Sequence, residues 1–199
     1  MCKAIMLSGG VDSTALAVLY KYQFAFTVKY GQLCAEAEVR AASRIAERLG
    51  LQHCIIDAPI YGIGAGDLVG RPPSAARASN EYSEWFPFRN QLIATLTAIK
   101  GMEHGVQQLD FGTVKSDGIF ADGRQDFFEA LSFLMSLQEG GMKVHAPAID
   151  MYSEELILNS GVGRDILGWT HSCHTSNFSC GRCRGCVRRK AVLAGLSLA

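Results

Sequence analysis

Long apolar runs and net charge are both missing from this 199-residue sequence. No stretch reaches the roughly 18 apolar residues of a membrane-spanning helix, and the apolar N-terminal run is short and broken by glycines, so we expect a cytoplasmic protein without a signal peptide. The 19 Lys and Arg residues balance 19 Asp and Glu residues, so charge gives no reason to expect coating of a polyanion or direct binding of tRNA. Because 48% of the residues are hydrophobic, wholesale disorder is excluded.

Proline is also scarce, and four of the five prolines lie in residues 58–87. We interpret this segment as a long loop inserted into an α/β domain of residues 1–170, because long loops are often functional lids or disordered segments. Outside it, short apolar segments alternate with helical patterns, which predicts a five-stranded parallel sheet of Rossmann-like type with helices on both faces. Strands are expected at residues 4–7, 24–28, 54–56, 109–113 and 143–146, and helices at 11–19, 35–49, 90–104, 125–138 and 153–158.

Cysteine is plentiful, with seven in all and four within fourteen residues of a tail, residues 171–199, that we expect to pack on the same domain. Cysteines so crowded in a reducing compartment indicate a metal rather than disulfides. Four thiolates close a tetrahedral site, so a structural zinc is favoured, while an iron–sulfur cluster, or a ligand from His171 or His174, stays open. The four predicted ligands are Cys173, Cys180, Cys183 and Cys186.

A glycine-rich string follows the first strand and opens the first helix. Glycines let the backbone approach a ligand, and the unpaired N–H groups and dipole of a helix N-terminus favour an anion. No lysine follows, so this is not the nucleotide loop that ends in Gly-Lys-Ser/Thr. We predict a phosphate site at Ser8, Gly9, Gly10, Asp12, Ser13 and Thr14.

The chain contains both the glycine-rich string and the cluster of four tail cysteines. With them it resembles, along almost its whole length, the 7-cyano-7-deazaguanine synthases of the ATP pyrophosphatase superfamily. The most diagnostic matching strings are residues 143–150 and the segment from Ser172 to Cys186. The resemblance implies an ATP-dependent carbon–nitrogen ligase that uses Mg²⁺ and acts on 7-carboxy-7-deazaguanine. In such enzymes ATP adenylates the carboxylate, ammonia gives the amide, and a second activation dehydrates the amide to the nitrile. A homodimer is also implied.

The resemblance also assigns residues beyond the phosphate loop. Tyr30, Gln32 and Gly112 are implied to contact the nucleotide together with the loop. Arg89 and Asn90 are implied to face nucleotide and substrate, with Arg89 catalytic alongside Ser8, Asp12 and Ser13. Asp117, Asp122 and Arg124 are implied to bind the deazaguanine.

The departures from the family pattern surround the expected reacting centre. The family commonly has an Asp where Lys29 stands, Arg-His where Leu33 and Cys34 stand, and a lysine at the start of the helix that begins with Ser153 and Glu154. Lys115 is a hypothetical substitute for that lysine, and therefore a candidate catalytic residue. The basic residues of the tail, Arg182, Arg184, Arg188, Arg189 and Lys190, either form a solvated helix face or hold phosphate or a substrate carboxylate.

These departures leave three other functions open. A divergent family member, of the kind associated with antiviral defence, would join the deazaguanine to a protein amine rather than to ammonia. A tRNA sulfurtransferase would need a reactive cysteine, for which Cys34 is the candidate. A non-catalytic module would bind ATP without releasing AMP.

Overall fold

The computed structural model describes residues 1–71, 84 and 86–196, so the predicted loop at 58–87 and the end of the predicted tail lie partly outside the described residues. Five parallel strands form one sheet, in the order β3-β2-β1-β4-β5. This confirms the predicted α/β fold with helices on both faces. The strands are β1 Lys3–Met6, β2 Phe24–Lys29, β3 Gln52–Asp57, β4 Gln108–Phe111 and β5 Lys143–His145.

Seven α-helices occur among the described residues, and two 3₁₀ turns, Lys115–Ile119 and Ala121–Gly123, lie where the sequence predicts a plain loop. The helices are α1 Val11–Tyr20, α2 Ala35–Leu49, α3 Arg89–Met102, α4 Gln125–Ser136, α5 Ser153–Ser160, α6 Arg164–Leu167 and α7 Arg184–Gly195.

Two apolar layers cover the sheet. On one face, Ile5 and Leu7 pack with α1, α2, α5 and the end of α7. On the other, Phe26 and Leu109 pack with α3 and α4. All neighbouring strands are parallel and β1 is central, so the carboxyl ends of β1, β2 and β4 open onto one edge of the sheet, where ligands bind in such folds.

No helix in the described part of the chain is both long and apolar enough to cross a membrane.

Candidate active site

The glycine loop joins β1 to α1 at the central edge of the sheet. Gly9 has a φ of +77°, and a Cβ there would lie 2.7 Å from the Cβ of Ala41 on α2, so only glycine fits. The hydroxyls of Ser8 and Ser13 lie 3.2 Å apart across the loop. Gly112, which follows β4, comes so close that a Cβ would lie 2.6 Å from the Cα of Ser13. Neighbouring backbones therefore fix the loop before any ligand binds.

The loop opens into a cavity of about 300 Å³, the lower end of the usual range for small-molecule pockets. Asp12 lies in its wall, and burial raises the pKa of this carboxyl to about 6, although the Arg188 guanidinium opposes the shift. The Oδ1 atom of Asp12 is buried without a hydrogen-bond partner in the described part of the protein. A carboxylate oxygen left without a partner suits the divalent cation that accompanies ATP.

Predicted residues from the loops after β3 and β4 line a second wall of the cavity. Arg89 begins α3, directly after Phe88, whose φ of 61° turns the chain into the helix. Asn90 donates from its side-chain amide to the Asp122 carbonyl (2.8 Å) and from its backbone N–H to the Asp122 carboxylate (3.3 Å). Burial would lower the pKa of Arg89, but Tyr30 and Asp122 outweigh it and the pKa is raised, so the guanidinium stays charged. This wall pairs a fixed cation with a carboxylate.

A buried polar cluster lies beneath Tyr30. Glu38 accepts hydrogen bonds from the Gln32 amide (2.7 Å) and the Cys34 thiol (3.3 Å), and burial raises the pKa of its carboxyl. Gln32 also accepts from the Tyr30 backbone N–H (2.8 Å), so its amide supports the strand end. Burial likewise raises the pKa of the Cys34 thiol, so the thiol stays protonated and is a poor nucleophile. This disfavours the hypothesis of a sulfurtransferase that uses Cys34.

The four tail cysteines lie together next to the cavity. Their Sγ atoms all lie within 4.8 Å of one another, with Cys183 and Cys173 3.9 Å apart and Cys180 and Cys186 4.0 Å apart. Tetrahedral zinc with Zn–S bonds of about 2.3 Å requires S···S distances of about 3.8 Å, so the cluster fits zinc closely. Backbone N–H groups of Arg182 and Cys183 lower the pKa of the Cys180 thiol to about 5, which favours the thiolate that a metal needs.

The cysteine segment touches the glycine loop directly. The backbone N–H of His171 donates to the Gly9 carbonyl (2.9 Å), and Arg184, Arg188 and Arg189 reach the cavity wall from α7. Arg188 donates to Asp12 (3.2 Å) and Asp117 (2.8 Å), and Arg184 pairs with Glu84. The sequence groups these arginines as one basic tail, and only the fold singles out those that face the cavity.

Known proteins resemble this chain over nearly its whole length. Residues 3–196 match the sequence model described as "Queuosine biosynthesis protein QueC". The chain belongs to the QueC family. It is 28% identical to the 7-cyano-7-deazaguanine synthase of Methanocaldococcus jannaschii, over 98% of this chain and 96% of that protein. The enzymes of the same name from Koribacter versatilis and Methanococcus vannielii are 29% and 27% identical, over 96% and 94% of this chain and 88% and 92% of those proteins.

In this QueC family member the fold brings most of the predicted site residues to one cavity. Its lining includes Ser8, Gly10, Asp12, Ser13, Tyr30, Arg89, Asn90, Gly112, Asp117 and Asp122. The other predicted residues lie outside the lining. They are Gly9, Thr14, Gln32, Lys115 and Arg124.

Gly9 and Gln32 make the hydrogen bonds described above, and the other three residues also have contacts of their own. Thr14 is fully buried and its hydroxyl donates to the Gly10 carbonyl (2.7 Å). Arg124 donates to the Gly118 carbonyl (3.1 Å), and the Lys115 ammonium lies 5.0 Å from the centre of the Tyr152 ring. Lys115 is therefore not brought to the phosphate loop, where the sequence hypothesis needs its charge.

Proposed function

We propose that this chain is an ATP-dependent carbon–nitrogen ligase that converts 7-carboxy-7-deazaguanine with ammonia to the amide and then to the nitrile. The proposal rests chiefly on one observation: in a chain of the QueC family, the glycine loop and the Arg89–Asp122 wall share one cavity. A phosphate binder beside a cation and a carboxylate suits a reaction that joins a nucleotide to a carboxylate.

The first step converts the substrate carboxylate, which is a poor electrophile, into an activated acyl group. A carboxylate oxygen of the substrate attacks the α-phosphorus of ATP, pyrophosphate leaves, and a mixed anhydride with AMP forms. Ammonia attacks the acyl carbon, loses a proton and expels AMP, which gives the amide. The amide oxygen attacks the α-phosphorus of a second ATP, and pyrophosphate and one N–H proton leave. Loss of AMP and the second N–H proton then gives the nitrile.

The residues divide this work according to their positions. Ser8, Gly10 and Ser13, at the positive end of α1, are proposed to hold the departing pyrophosphate. Arg89 suits the α-phosphate or the substrate carboxylate, because a guanidinium binds either with two hydrogen bonds. Asp122 suits the N–H edge of the guanine-like ring. Mg²⁺ would neutralise phosphate charge when bound, with Asp12 Oδ1 as its protein ligand.

The test is mass spectrometry of one reaction that contains protein, ATP, Mg²⁺ and 7-carboxy-7-deazaguanine, with and without ammonium. We expect AMP, pyrophosphate and the nitrile, and we expect Ser13→Ala to slow their formation. Ser136→Ala, an exposed serine on α4, is the matched control and should react at the normal rate. Absence of amide and nitrile under all conditions would contradict the proposal.

A second candidate is transfer of the activated deazaguanine to a protein amine. The departures at Lys29, at Leu33 and Cys34, and at Ser153 and Glu154 favour it, since they lie around the expected reacting centre. AMP release without a small-molecule product would support this candidate. ATP binding without AMP would instead indicate a nucleotide-binding module.

A further inference from the structure

Arg188 is held among three elements that the sequence keeps far apart. It lies on α7, two residues after Cys186, and its Nη2 donates to Asp12 Oδ2 on α1 (3.2 Å) and Ser153 Oγ on α5 (2.9 Å). Its Nη1 donates to Asp117 Oδ1 in the loop after β4 (2.8 Å). These contacts place a guanidinium next to the first turn of α1, where the glycine loop opens into the cavity.

The guanidinium keeps donors for a ligand. Of the five N–H groups of an arginine, these contacts use three. The Nε–H and one Nη1–H of Arg188 have no partner within the described ranges. The side chain is 28% exposed and forms part of the cavity lining. A phosphate can therefore reach an already oriented cation without displacing its carboxylate partners.

The charge balance at the loop also needs this cation. Asp12 and Asp117 line the cavity, and Glu154 acts electrostatically on both Asp12 and Arg188. Three carboxylates so near the loop would repel a polyphosphate. Arg188 counters this repulsion, because a guanidinium stays protonated in proteins and this one contacts both Asp12 and Asp117.

We propose that Arg188 binds the phosphates of ATP beside the glycine loop, and that the metal-bound cysteine cluster positions it there. The identity of the nucleotide rests on the proposed function. The cluster acts through α7, because Cys183 caps the helix and Cys186 lies in its first turn. Arg188 thus supplies, from the far end of the chain, the cation that Ser153 and Glu154 do not supply at the start of α5.

The competing explanation is a clamp that only fastens α7 to the domain. Loss of a clamp lowers the unfolding temperature but leaves the nucleotide affinity of the folded protein nearly unchanged. Loss of a phosphate ligand weakens affinity for ATP and for inorganic pyrophosphate alike. A cation placed nearby should then restore part of the affinity.

The experiment is calorimetric titration of the zinc-loaded protein with Mg–ATP and, separately, with magnesium pyrophosphate. For Arg188→Ala we expect the Kd of both ligands to rise about 30-fold, because the loss of a hydrogen bond between charged groups weakens binding by about that factor. Arg188→Lys should fall between this variant and the wild type. Lys190→Ala removes the same charge from an exposed position on α7 and should bind normally. Glu154→Lys, added to Arg188→Ala, should recover about tenfold in affinity.

Unfolding temperatures of the same variants separate the two explanations. A Kd for Mg–ATP within threefold of wild type in Arg188→Ala, with a lowered unfolding temperature, would overturn the proposal in favour of the clamp. A wild-type protein that binds neither ATP nor pyrophosphate would also overturn it. Binding that depends on Arg188 without formation of amide or nitrile would instead support the proposal while contradicting the proposed function.

Discussion

The glycine-loop side and the cysteine side of the cavity are held in place by different forces. Gly9 rests on Ala41, and Gly112 rests on Ser13, so the loop side is fixed by close backbone contacts over an apolar core. Among the described residues, the cysteine side, which carries Arg188, joins that core near the end of α7. Its remaining order comes from polar contacts and four thiolates of metal-binding geometry. One side is therefore preformed by packing, whereas we expect the other to depend on a bound metal.

The substitution expected to break the preformed side most severely is Gly112→Ala. Its added Cβ would lie 2.6 Å from the Cα and 2.8 Å from the N of Ser13, so the start of α1 must shift. We expect the Kd for Mg–ATP to rise at least about 100-fold, and overpacking of this kind to destabilise the fold by about 1–3 kcal/mol. Calorimetric titration and urea unfolding measure the two effects.

Gly195→Ala is the matched control for that substitution. A Cβ there meets nothing within 4 Å and lies at the end of α7. Normal ATP affinity is expected, because alanine also suits a helix better than glycine. Equal damage from both substitutions would show that the contact with Ser13 is not what holds the loop.

Cys183→Ser tests whether the other side depends on a metal. It removes one of the four ligands while keeping a residue that can cap α7, so zinc content should fall and Arg188 should lose its fixed position. We expect the Kd for Mg–ATP to rise about tenfold, with most far-UV dichroism kept because the sheet core is separate. Cys54→Ser, outside the cluster, should keep its zinc. Unchanged ATP affinity in a zinc-free Cys183→Ser protein would contradict the comparison.

Asp12 is where the two sides meet, and its titration sharpens the comparison. Burial raises its pKa to about 6, so the folded state disfavours its charge. The stability of the protein should therefore fall as the pH rises from about 4 to 6 and stay level above that window. Asp12→Asn removes this penalty. Urea unfolding measures how far Asp12→Asn raises the free energy of unfolding over that of the wild type. We expect this gain to be about 2 kcal/mol larger at pH 7.5 than at pH 4.

Asp165→Asn gives a control of opposite sign. Arg48 lowers the pKa of the Asp165 carboxyl, so this group stabilises the fold above its ordinary pKa of 3.8 and loses that effect as the pH falls below this value. The exposed pair should give only a small change. If the difference in free energy of unfolding between Asp12→Asn and wild type did not change with pH, the folded state would not disfavour the charged form of Asp12.

The sheet could be predicted from the sequence because parallel strands buried on both faces are continuous apolar runs. The ends of strands are harder to predict. The strand predicted at residues 54–56 extends over Gln52–Asp57, and its outer residues escaped the prediction because they are polar at the edge of the sheet. The turns after Val114 were missed because residues 115–124 carry no apolar period. Local pattern thus gives the elements that pack by apolar periodicity and misses those held by single hydrogen bonds.

The candidate site divides in the same way. Ser8 and Ser13 could be predicted from the sequence, because their hydroxyls lie only five positions apart in one string. The contact between Arg188 and Asp12 joins residues 176 positions apart, and no periodicity connects them. The basic residues of the tail were the only sequence signal, and they do not tell an inward arginine from an outward one. The tertiary fold decides which charged side chains meet across the cavity, and local sequence patterns do not.

Lys115→Ala should have the smallest effect. Its ammonium lies over the Tyr152 ring and outside the cavity lining, a contact worth about 0.5–1 kcal/mol at an exposed site. Because Arg188 already places a cation beside the loop, we expect kcat/KM for ATP to change less than about threefold. Steady-state release of pyrophosphate measures it, with Lys143→Ala at the sheet edge as control. A fall of tenfold or more would return Lys115 to the site, as the sequence alone suggests, and would mean that the phosphates are held from the β4 loop rather than from the cysteine side.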